Sequence, residues 1–537
     1  MTILTSNDAV KLLKYYNTIR YLKPVQMQYQ VLYKAKALLG KVFGRKPCYA
    51  TYRQGRCLRF AAPWIEKPES YCGNDEFEFL GLRYKFNGTW DDRSNGDLWR
   101  YNLNYMDFLL QPSMGAEEGC EWIEKFIASM PLNSIANDPY PISLRGINWI
   151  KFVSRHRDSL SAEQMKRIDT ALYSQYLILA GRVEKHLLAN HYLENGFSLL
   201  FGALYFNDEK LLRLAGKIIR SQLEEQILPD GAHFELSPMY HCVILERLLD
   251  CISIAKGNGC KELSDFMFGK AKKMLGWLTA VVMSDGNIPL LNDSALGIAP
   301  LPAELAEYAE TLGVNSLKNP LLECGYRRFE REGYDVFADV AAIGPSYNPG
   351  HSHADTFTFV MNVAGKPFIV DTGTSTYTAG TRRSYERSTI AHNTVSVAGR
   401  DSSRVWGSFR CAERAKVVID DETCNYVKAS HNGYCSMGVT VSRSFAAGEK
   451  EFTVIDEIHG KDAEGIASFH LAPGVEVISA TDAEAVTSLG TLRFSGASSV
   501  VAETVEVSSS YNSLQPAVRL SVSFRKRLST VIVPKTI

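Results

Sequence analysis

The spacing of apolar residues changes near residue 325, and this change constrains the fold more than any other feature of the chain. From about residue 100 to 315, apolar residues recur every three or four positions, as in NDEKLLRLAGKIIRSQLEEQIL (207–228), which is typical of amphipathic helices. Beyond residue 325 the apolar runs are short, rich in Val, Ile, Phe and Thr, and separated by Gly, Asp or Asn, which is typical of strands. A chain of 537 residues exceeds what one core usually supports, so we expect a helical unit followed by a β unit.

The two patterns predict an α+β multidomain protein. Helix pairs joined by short turns indicate a stacked or toroidal helical array, and the later runs indicate a C-terminal antiparallel β-sandwich. We predict a helical and irregular extension over 1–95, a helical domain over 96–320 and the sandwich over 321–537. Ser161 and Ser237 are predicted N-caps of helices, and Ala364-Gly365-Lys366 is a predicted hairpin turn.

Composition excludes some classes of partner and site. Lys plus Arg equals Asp plus Glu at 59 each, so no overall basic field favours nucleic acid. Eleven cysteines without a CxxC pair argue against a disulfide framework and against a Cys-rich zinc site. The sequence shows no membrane-length apolar run and no secretory signal pattern, which predicts a cytoplasmic location, with the periplasm as the alternative.

One stretch of the β half, Tyr347–Thr394, concentrates groups that bind metals or move protons. His351 and His353 lie two apart, which places both on one face of a regular strand. Asp371 ends an apolar run and His392 follows later, so that His353, Asp371 and His392 offer zinc ligands while His351 stays free for proton transfer. The alternative is a set of core histidines bonded to backbone, with Asp371 capping a turn.

A second cluster lies in the helical half. Asn190 and His191 precede a long apolar helix, and Tyr240 and His241 fall in the first turn after Ser237-Pro238. Taken singly, these residues are more often helix caps and packed aromatics. The sequence has no phosphate loop, GxSxG elbow or HExxH motif, which disfavours nucleotide-driven, serine-hydrolase and zincin chemistry. Glycosidase chemistry with two carboxylates stays open, because its acids need no fixed spacing.

Several ordered motifs together resemble the heparinase II/III-like polysaccharide lyase family, of the type associated with bacterial surface-polysaccharide gene clusters. They are RYNLNYMDFL (100–109), NHYLENGFSLLFGALYF (190–206), LPDGAHFELSPMYH (228–241), GHSHADTFTF (350–359), VDTGTSTY (370–377) and AHNTVSV (391–397). The resemblance implies an N-terminal (α/α) toroid over 96–320 followed by a C-terminal antiparallel β-sandwich over 321–537, which agrees with the change of spacing near residue 325. It also implies β-elimination of a uronic-acid-containing polysaccharide, in which the C5 proton is removed and the 4-O-glycosidic bond breaks.

The resemblance also implies roles for individual residues. Asn190 and His191 would bind and neutralise the uronate carboxylate, Tyr240 would be the general acid and also a candidate base, and His351 would be the alternative base. A structural zinc would be held by His353, Asp371 and His392. Further candidate site residues are His241, Tyr385 and Arg145.

Three functions remain open from the sequence. The first is a polysaccharide lyase acting on an acidic, glycosaminoglycan-like or alginate-like polymer. The second is a uronyl C5-epimerase or other modifying enzyme of polysaccharide assembly, since both outcomes begin with the same proton abstraction. The third is a glycan-binding protein without catalysis. A homodimer is a further expectation, and no nucleic-acid partner and no membrane span are expected.

Overall fold

The computed structural model describes residues 6–42, 48–318 and 320–535. Its helices are α1 (Ser6–Ile19), α2 (Pro24–Val42), α3 (Asp97–Tyr105), α4 (Ala116–Ser129), α5 (Pro139–His156), α6 (Ala162–Gly181), α7 (Ala189–Phe206), α8 (Glu209–Gln226), α9 (Pro238–Gly257), α10 (Lys261–Val281), α11 (Pro302–Thr311) and α12 (Thr381–Glu386). Residues 1–5 and 43–47 of the predicted N-terminal extension lie outside the described residues. The domain limits at 95 and 320 stay predictions.

The strands fall almost entirely after α11. They are β1 (Glu76–Phe79), β2 (Leu82–Lys85), β3 (Tyr326–Arg331), β4 (Tyr334–Asp339), β5 (Phe359–Val363), β6 (Lys366–Ile369), β7 (Val395–Val397), β8 (Val405–Trp406), β9 (Arg410–Cys411), β10 (Val417–Thr423), β11 (Tyr426–His431), β12 (Val439–Ala447), β13 (Phe452–Gly460), β14 (Gly465–His470), β15 (Val477–Ala480), β16 (Glu484–Thr487), β17 (Gly490–Val507) and β18 (Gln515–Pro534). The predicted change from helix to strand is therefore confirmed.

Side-chain caps begin two helices, α6 and α9, where the sequence predicts them. Ser161 forms a capping box with Gln164 at the start of α6. Ser237 accepts the Tyr240 backbone N–H at 3.2 Å, and Pro238 occupies the first turn of α9. These caps satisfy N–H groups that a helix start leaves unpaired. The Ser237 cap therefore fixes the first turn of α9, which carries Tyr240.

The helices of the toroid approach one another closely around Tyr176 of α6. A Cβ atom on Gly146 of α5 or Gly202 of α7 would lie 2.7 Å from the Tyr176 side chain. Only glycine leaves room for this ring, so the glycines let α5, α6 and α7 bury it completely.

Two antiparallel sheets form the β-sandwich. The smaller sheet has the order β3-β4-β5-β6. The larger has the order β10-β11-β12-β13-β18-β17-β16-β15, and β14 pairs with β18 and β7. Phe359 of β5 contacts Phe445, Phe452 and Phe469 of the larger sheet, with ring centroids 5.8 to 6.2 Å apart. Aromatic packing between the two inner faces therefore forms this core.

The structure corrects one local prediction. His351 and His353 lie in the loop between β4 and β5 and not on a regular strand. The segment GPSYNPGHSHADT is rich in Gly, Pro and Asn, and these residues favour turns over ladder pairing. The predicted Ala364-Gly365 hairpin, by contrast, joins β5 and β6.

Strained backbone lies beside the helix starts that face the β unit. Leu188 and Ala189, just before Asn190, have φ of 61° and 52°, and Leu236 has φ of 54°. A residue with a Cβ atom adopts such angles only at a cost in conformational energy, which the surrounding structure must offset. Strained backbone of this kind is common at functional sites. Among the described residues, no helix is both long and apolar enough to cross a membrane.

Candidate active site

The two sequence clusters meet in one cleft. A cavity of about 590 Å³ lies between the starts of α7 and α9 and the loops of the β unit. Asn190, His191 and Tyr240 line it from the helical side, and His351 and Tyr377 line it from the β side. The residues predicted to be catalytic are therefore neighbours, although up to 161 positions separate them in the chain.

Tyr240 and His351 stack on each other in this cleft. Their ring centroids are 3.9 Å apart with an interplanar angle of 30°. The hydroxyls of Tyr240 and Tyr377 lie 3.3 Å apart. Burial, assisted by nearby Tyr511, raises the pKa of Tyr240 well above its ordinary value, so its phenol is protonated at neutral pH.

Asp293 holds the His351 imidazole from behind. Its Oδ2 lies 3.0 Å from His351 Nδ1, and its Oδ1 lies 2.8 Å from His353 Nε2. Arg383 donates to both oxygens, at 2.5 and 2.7 Å. Burial alone would raise the pKa of Asp293, but Arg383 and the histidines hold that pKa well below its usual range.

An ionised Asp293 fixes the tautomer of His351. A carboxylate only accepts hydrogen bonds, so Nδ1 of His351 must carry the proton. In the neutral form of this tautomer, Nε2 carries no proton and can act as a base. This nitrogen lies 4.0 Å from the Glu235 carboxylate, at the edge of the cleft.

Glu235 fixes the side chain of Asn190. Asn190 Nδ2 donates to both carboxylate oxygens of Glu235, at 3.0 and 2.8 Å, and its backbone N–H lies 3.3 Å from Oε1. In this orientation the amide nitrogen faces Glu235 and Oδ1 is turned away from it. Both hydrogen bonds to Glu235 thus use the amide nitrogen, which leaves the acceptor oxygen of Asn190 outside this pair.

Glu184 governs the charge of His191. His191 Nδ1 lies 3.2 Å from Glu184 Oε1, and Asn195 donates to the other oxygen of that carboxylate at 3.0 Å. Burial by itself would lower the pKa of His191, but the Glu184 carboxylate outweighs it and the pKa is raised. Glu184 therefore favours the protonated form of His191 in the cleft.

The predicted zinc ligands lie behind His351 and not in the cleft. His392 Nδ1 is 2.7 Å from Asp371 Oδ2, and the rings of His353 and His392 are 5.3 Å apart. His353 Nδ1 and His392 Nε2 are buried without hydrogen-bond partners. Each of these histidines is tied through its other nitrogen to a carboxylate, as metal-ligating histidines commonly are.

These two unpartnered nitrogens are suited to bind a metal ion. The third predicted ligand, Asp371, instead uses both of its carboxylate oxygens in hydrogen bonds. Asp371 accepts from His392 through Oδ2 and from the Gly373 backbone through Oδ1, at 3.0 Å. Within residues 6–42, 48–318 and 320–535, no group of three or more His, Cys, Asp or Glu side chains is arranged to hold a metal. Asp371 here orients His392.

Three further predicted residues are not part of the cleft. Arg145 is fully buried, where it donates to Gln175 and to backbone carbonyls, and burial lowers its pKa to about 9. His241 is buried against Trp277 and bonds to the Met274 carbonyl. The Tyr385 hydroxyl is buried without a partner.

Sequence reasoning missed Tyr377, Glu235, Asp293 and Arg383 as site residues. Tyr377 ends the VDTGTSTY motif, and Glu235 lies within LPDGAHFELSPMYH, so both motifs contained a usable signal. Asp293 lies in Asn292-Asp293-Ser294, whose turn-like sequence predicts only an approach to a cleft and no role for the carboxylate. Nothing in the local sequence indicates that it pairs with His351, 58 positions away.

The fold and site define a class of protein built from a helical toroid and an antiparallel β-sandwich, with a cleft between them that is lined by histidines and tyrosines. Family profiles match both parts: "Heparinase II/III N-terminus" over residues 184–315 and "Heparinase II/III-like, C-terminal" over residues 314–533. The chain belongs to the heparinase II/III-like family, as its motifs predict.

Characterised relatives match parts of the chain. A heparin-sulfate lyase of Pedobacter heparinus is 29% identical over 246 residues, which cover 39% of this chain and 37% of the relative. A heparin-sulfate lyase of Bacteroides thetaiotaomicron is 25% identical over 331 residues, covering 52% and 45% respectively. Each match spans less than half of the relative's length.

Solved structures match the fold over nearly the whole chain. A crystal structure of heparinase III superimposes with a TM-score of 0.67 at 17% identity, covering 97% of this chain and 93% of the other. A mutant heparan sulfate lyase of Pedobacter heparinus gives a TM-score of 0.60 at 17% identity, covering 98% and 93%. At this identity the likeness confirms the predicted toroid and sandwich.

Proposed function

We propose that this protein is a polysaccharide lyase that cleaves a uronic-acid-containing glycan by β-elimination. The observation that carries the proposal is the stacked Tyr240–His351 pair, a protonated phenol beside an imidazole whose Nε2 is free. The names of the heparin-sulfate lyase relatives point the same way.

The two groups divide the proton transfers between them. His351 Nε2 removes the C5 proton, the electron pair of that bond forms the C4–C5 double bond, and the C4–O bond breaks. Tyr240 donates its proton to the departing 4-oxygen, which becomes the hydroxyl of the leaving sugar. The raised pKa of Tyr240 suits the acid role, because a phenol that holds its proton is a poor base.

The carboxylate of the uronate must be neutralised before C5 becomes acidic enough to lose its proton. His191, whose pKa is raised beside Glu184, supplies the positive charge. Asn190, turned by Glu235, presents Oδ1, which suits a carboxyl that has become protonated or a sugar hydroxyl. In this proposal Asn190 orients the sugar and His191 stabilises the developing charge.

We also propose a structural zinc held by His353 and His392, with Asp371 orienting His392. The two buried, unpartnered nitrogens support this assignment. Bound metal would brace the loop that carries His351 and would take no part in the proton transfers. For location we propose the cytoplasm, supported by cysteines that are unpaired in the structure.

The experiment that tests the function is incubation with uronate polysaccharides in deuterium oxide, followed by ultraviolet absorbance and NMR. A lyase produces the absorbance of an unsaturated uronate. Deuterium at C5 without that absorbance identifies the epimerase instead. Binding of the glycan without either signal identifies the non-catalytic alternative.

A further inference from the structure

The first helix packs against the β unit through polar side chains. On α1, Asn17 is buried and donates to the Glu413 carboxylate at 3.0 Å. Thr18 accepts from the indole N–H of Trp406 at 3.1 Å. The inner face of α1 is therefore its polar face, which is the reverse of an ordinary surface helix.

The second helix meets the helical unit in the same way. On α2, Gln26 is buried and donates to the Leu187 carbonyl at 3.2 Å. The Tyr33 hydroxyl donates to the Val183 carbonyl at 2.7 Å, and Tyr33 also lines the cavity of the proposed active site. The inner face of α2 is thus also polar, and this helix flanks the cleft.

The outer faces of the two helices are apolar and exposed. Met27, Val31 and Leu38 share one side of α2, and Val31 and Leu38 are 69% and 64% exposed. Leu12 and Tyr16 share one side of α1 and are exposed as well. In the described part of the chain, ten of the 25 exposed large apolar side chains belong to α1 and α2. Such a concentration marks an interaction surface.

The same segment is uniformly basic. Residues 9–65 include twelve Lys or Arg and no Asp or Glu, although the whole chain has no net charge. Lys34 and Lys36 are exposed on α2. At about 100° per residue, they fall at the two edges of the apolar arc that runs from Met27 to Leu32. Basic side chains beside an apolar arc are typical of helices that lie in a membrane–water interface.

We infer that the outer faces of α1 and α2 bind the surface of a membrane that contains anionic lipids. The helices lie along the surface without crossing it, with their apolar side chains at the boundary of the acyl chains and their lysines beside lipid phosphates. The inference goes beyond the lyase proposal and does not depend on it.

The charge and the apolar side chains together favour lipid over other occupants. In a symmetric contact between two copies, this basic face would meet itself with no carboxylate of residues 9–65 to offset the repulsion. Nucleic acid or an acidic glycan would account for the lysines, but neither accounts for exposed aliphatic side chains such as Val31 and Leu38.

Membrane binding would hold the cleft close to the lipid surface. Tyr33 lies on the side of α2 opposite Val31 and Leu38, and the diameter of a helix with its side chains is about 10 Å. The cleft that Tyr33 lines is therefore about one helix away from the bound lipid. A glycan held at the membrane is then within reach of the cleft.

Sedimentation with lipid vesicles tests the inference. The full-length protein is mixed with vesicles of phosphatidylcholine, or of equal parts phosphatidylcholine and phosphatidylglycerol. We expect at least about tenfold stronger binding to the mixed vesicles, and weaker binding at high salt because salt screens the attraction between lysines and headgroups. Failure to sediment with the mixed vesicles would overturn the inference.

A pair of double variants tests whether the apolar face makes the contact. Val31→Ser with Leu38→Ser keeps the charge, and we expect it to weaken binding to the mixed vesicles by about tenfold. Val418→Ser with Ile478→Ser changes two side chains of the β unit that are 61% and 65% exposed, and it should bind as the wild type does. Wild-type binding by the α2 variant would indicate adsorption by charge alone and would overturn the inference.

Analytical ultracentrifugation without lipid tests the second-copy alternative. We expect the wild type and the α2 double variant to have the same oligomeric state. A wild-type dimer that dissociates in this variant would assign the apolar face to a second copy and overturn the inference. No substrate is present in either experiment, so failure of the lyase proposal would leave these results unchanged.

Discussion

Asp293 Oδ2 lies 3.0 Å from Nδ1 of His351, and this contact joins the helical unit to the β-unit loop that carries His351. Asp293 sits between α10 and α11, and His351 lies between β4 and β5. The same carboxylate accepts from Arg383 and His353. The orientation of the proposed base is therefore set by the docking of the two units.

Replacement of Asp293 by Asn should cost both activity and stability. The amide cannot accept from all three partners, so His351 loses its fixed tautomer and Arg383 is left buried without its counterion. We expect kcat to fall by about 10²-fold or more and the free energy of unfolding to fall by about 3–5 kcal/mol. Steady-state kinetics and urea denaturation measure the two effects. A wild-type kcat in the folded variant would contradict the role given to Asp293.

Tyr240→Phe should abolish turnover and leave the fold intact. The ring stacking on His351 is kept, but the proton for the leaving oxygen is lost, and we expect kcat to fall by about 10²–10⁴-fold. Circular dichroism and glycan binding report on the fold. Tyr385→Phe is the matched control, since Tyr385 does not line the cleft, and it should keep near-normal kcat. An equal loss of kcat in Tyr240→Phe and Tyr385→Phe would contradict a specific role for the Tyr240 hydroxyl.

Glu235→Gln should impair catalysis through Asn190. A glutamine amide can donate as well as accept, so Asn190 is no longer held with its Nδ2 toward residue 235. We expect kcat/KM to fall by about tenfold. In a double-mutant cycle with Asn190→Ala, the second change should add little, because both act on one interaction. Fully additive losses would show that Glu235 acts independently of Asn190.

The charge of His191 should appear in the pH dependence of KM. Its pKa is raised above 6.5, chiefly by Glu184 acting against burial, so the imidazolium is present below 6.5 and is lost as pH rises through the higher folded-state pKa. KM for a uronate glycan should therefore rise as the pH increases from 6.5 through the folded-state pKa of His191. Glu184→Gln should move the rise to lower pH, and NMR titration of the His191 ring should follow it. A rise that stays at the same pH in the variant would exclude His191 as its source.

His392→Ala should remove bound zinc without directly breaking the Asp293 network. His392 bonds to Asp371, whereas His353 also bonds to Asp293, so His392 isolates the metal effect. We expect zinc in the purified wild type by elemental analysis, loss of that zinc in the variant and a lower Tm. Absence of zinc from wild-type protein supplied with the metal would contradict the assignment.

The sequence predicts the two-part architecture and the main cleft residues, because both depend on local signals. Apolar spacing is a property of consecutive residues, and the motifs around Asn190, Tyr240 and His351 are contiguous. Asp293 and Arg383 could not be predicted as partners, since they are 90 positions apart and meet only after the units dock.

Side-chain packing, which the local sequence does not reveal, also decides the positions of Tyr377, Tyr385 and Arg145. Tyr385 and Tyr377 are both near Asp371 in sequence, but only Tyr377 follows β6 into the cleft, whereas Tyr385 lies on α12. Arginine is common in binding sites, yet the side chain of Arg145 on α5 is fully buried in the core and donates to Gln175. Side-chain direction depends on packing that spacing alone does not define.

The most direct test of the account is the reaction of wild-type protein with a size-defined uronate oligosaccharide in oxygen-18 water. β-Elimination breaks the C4–O bond without adding water. We predict two products whose masses sum to that of the substrate, one with an unsaturated uronate at its non-reducing end, and neither labelled at the time of cleavage. Products that carry oxygen-18 at the new reducing end and lack the double bond would identify hydrolysis and contradict the account.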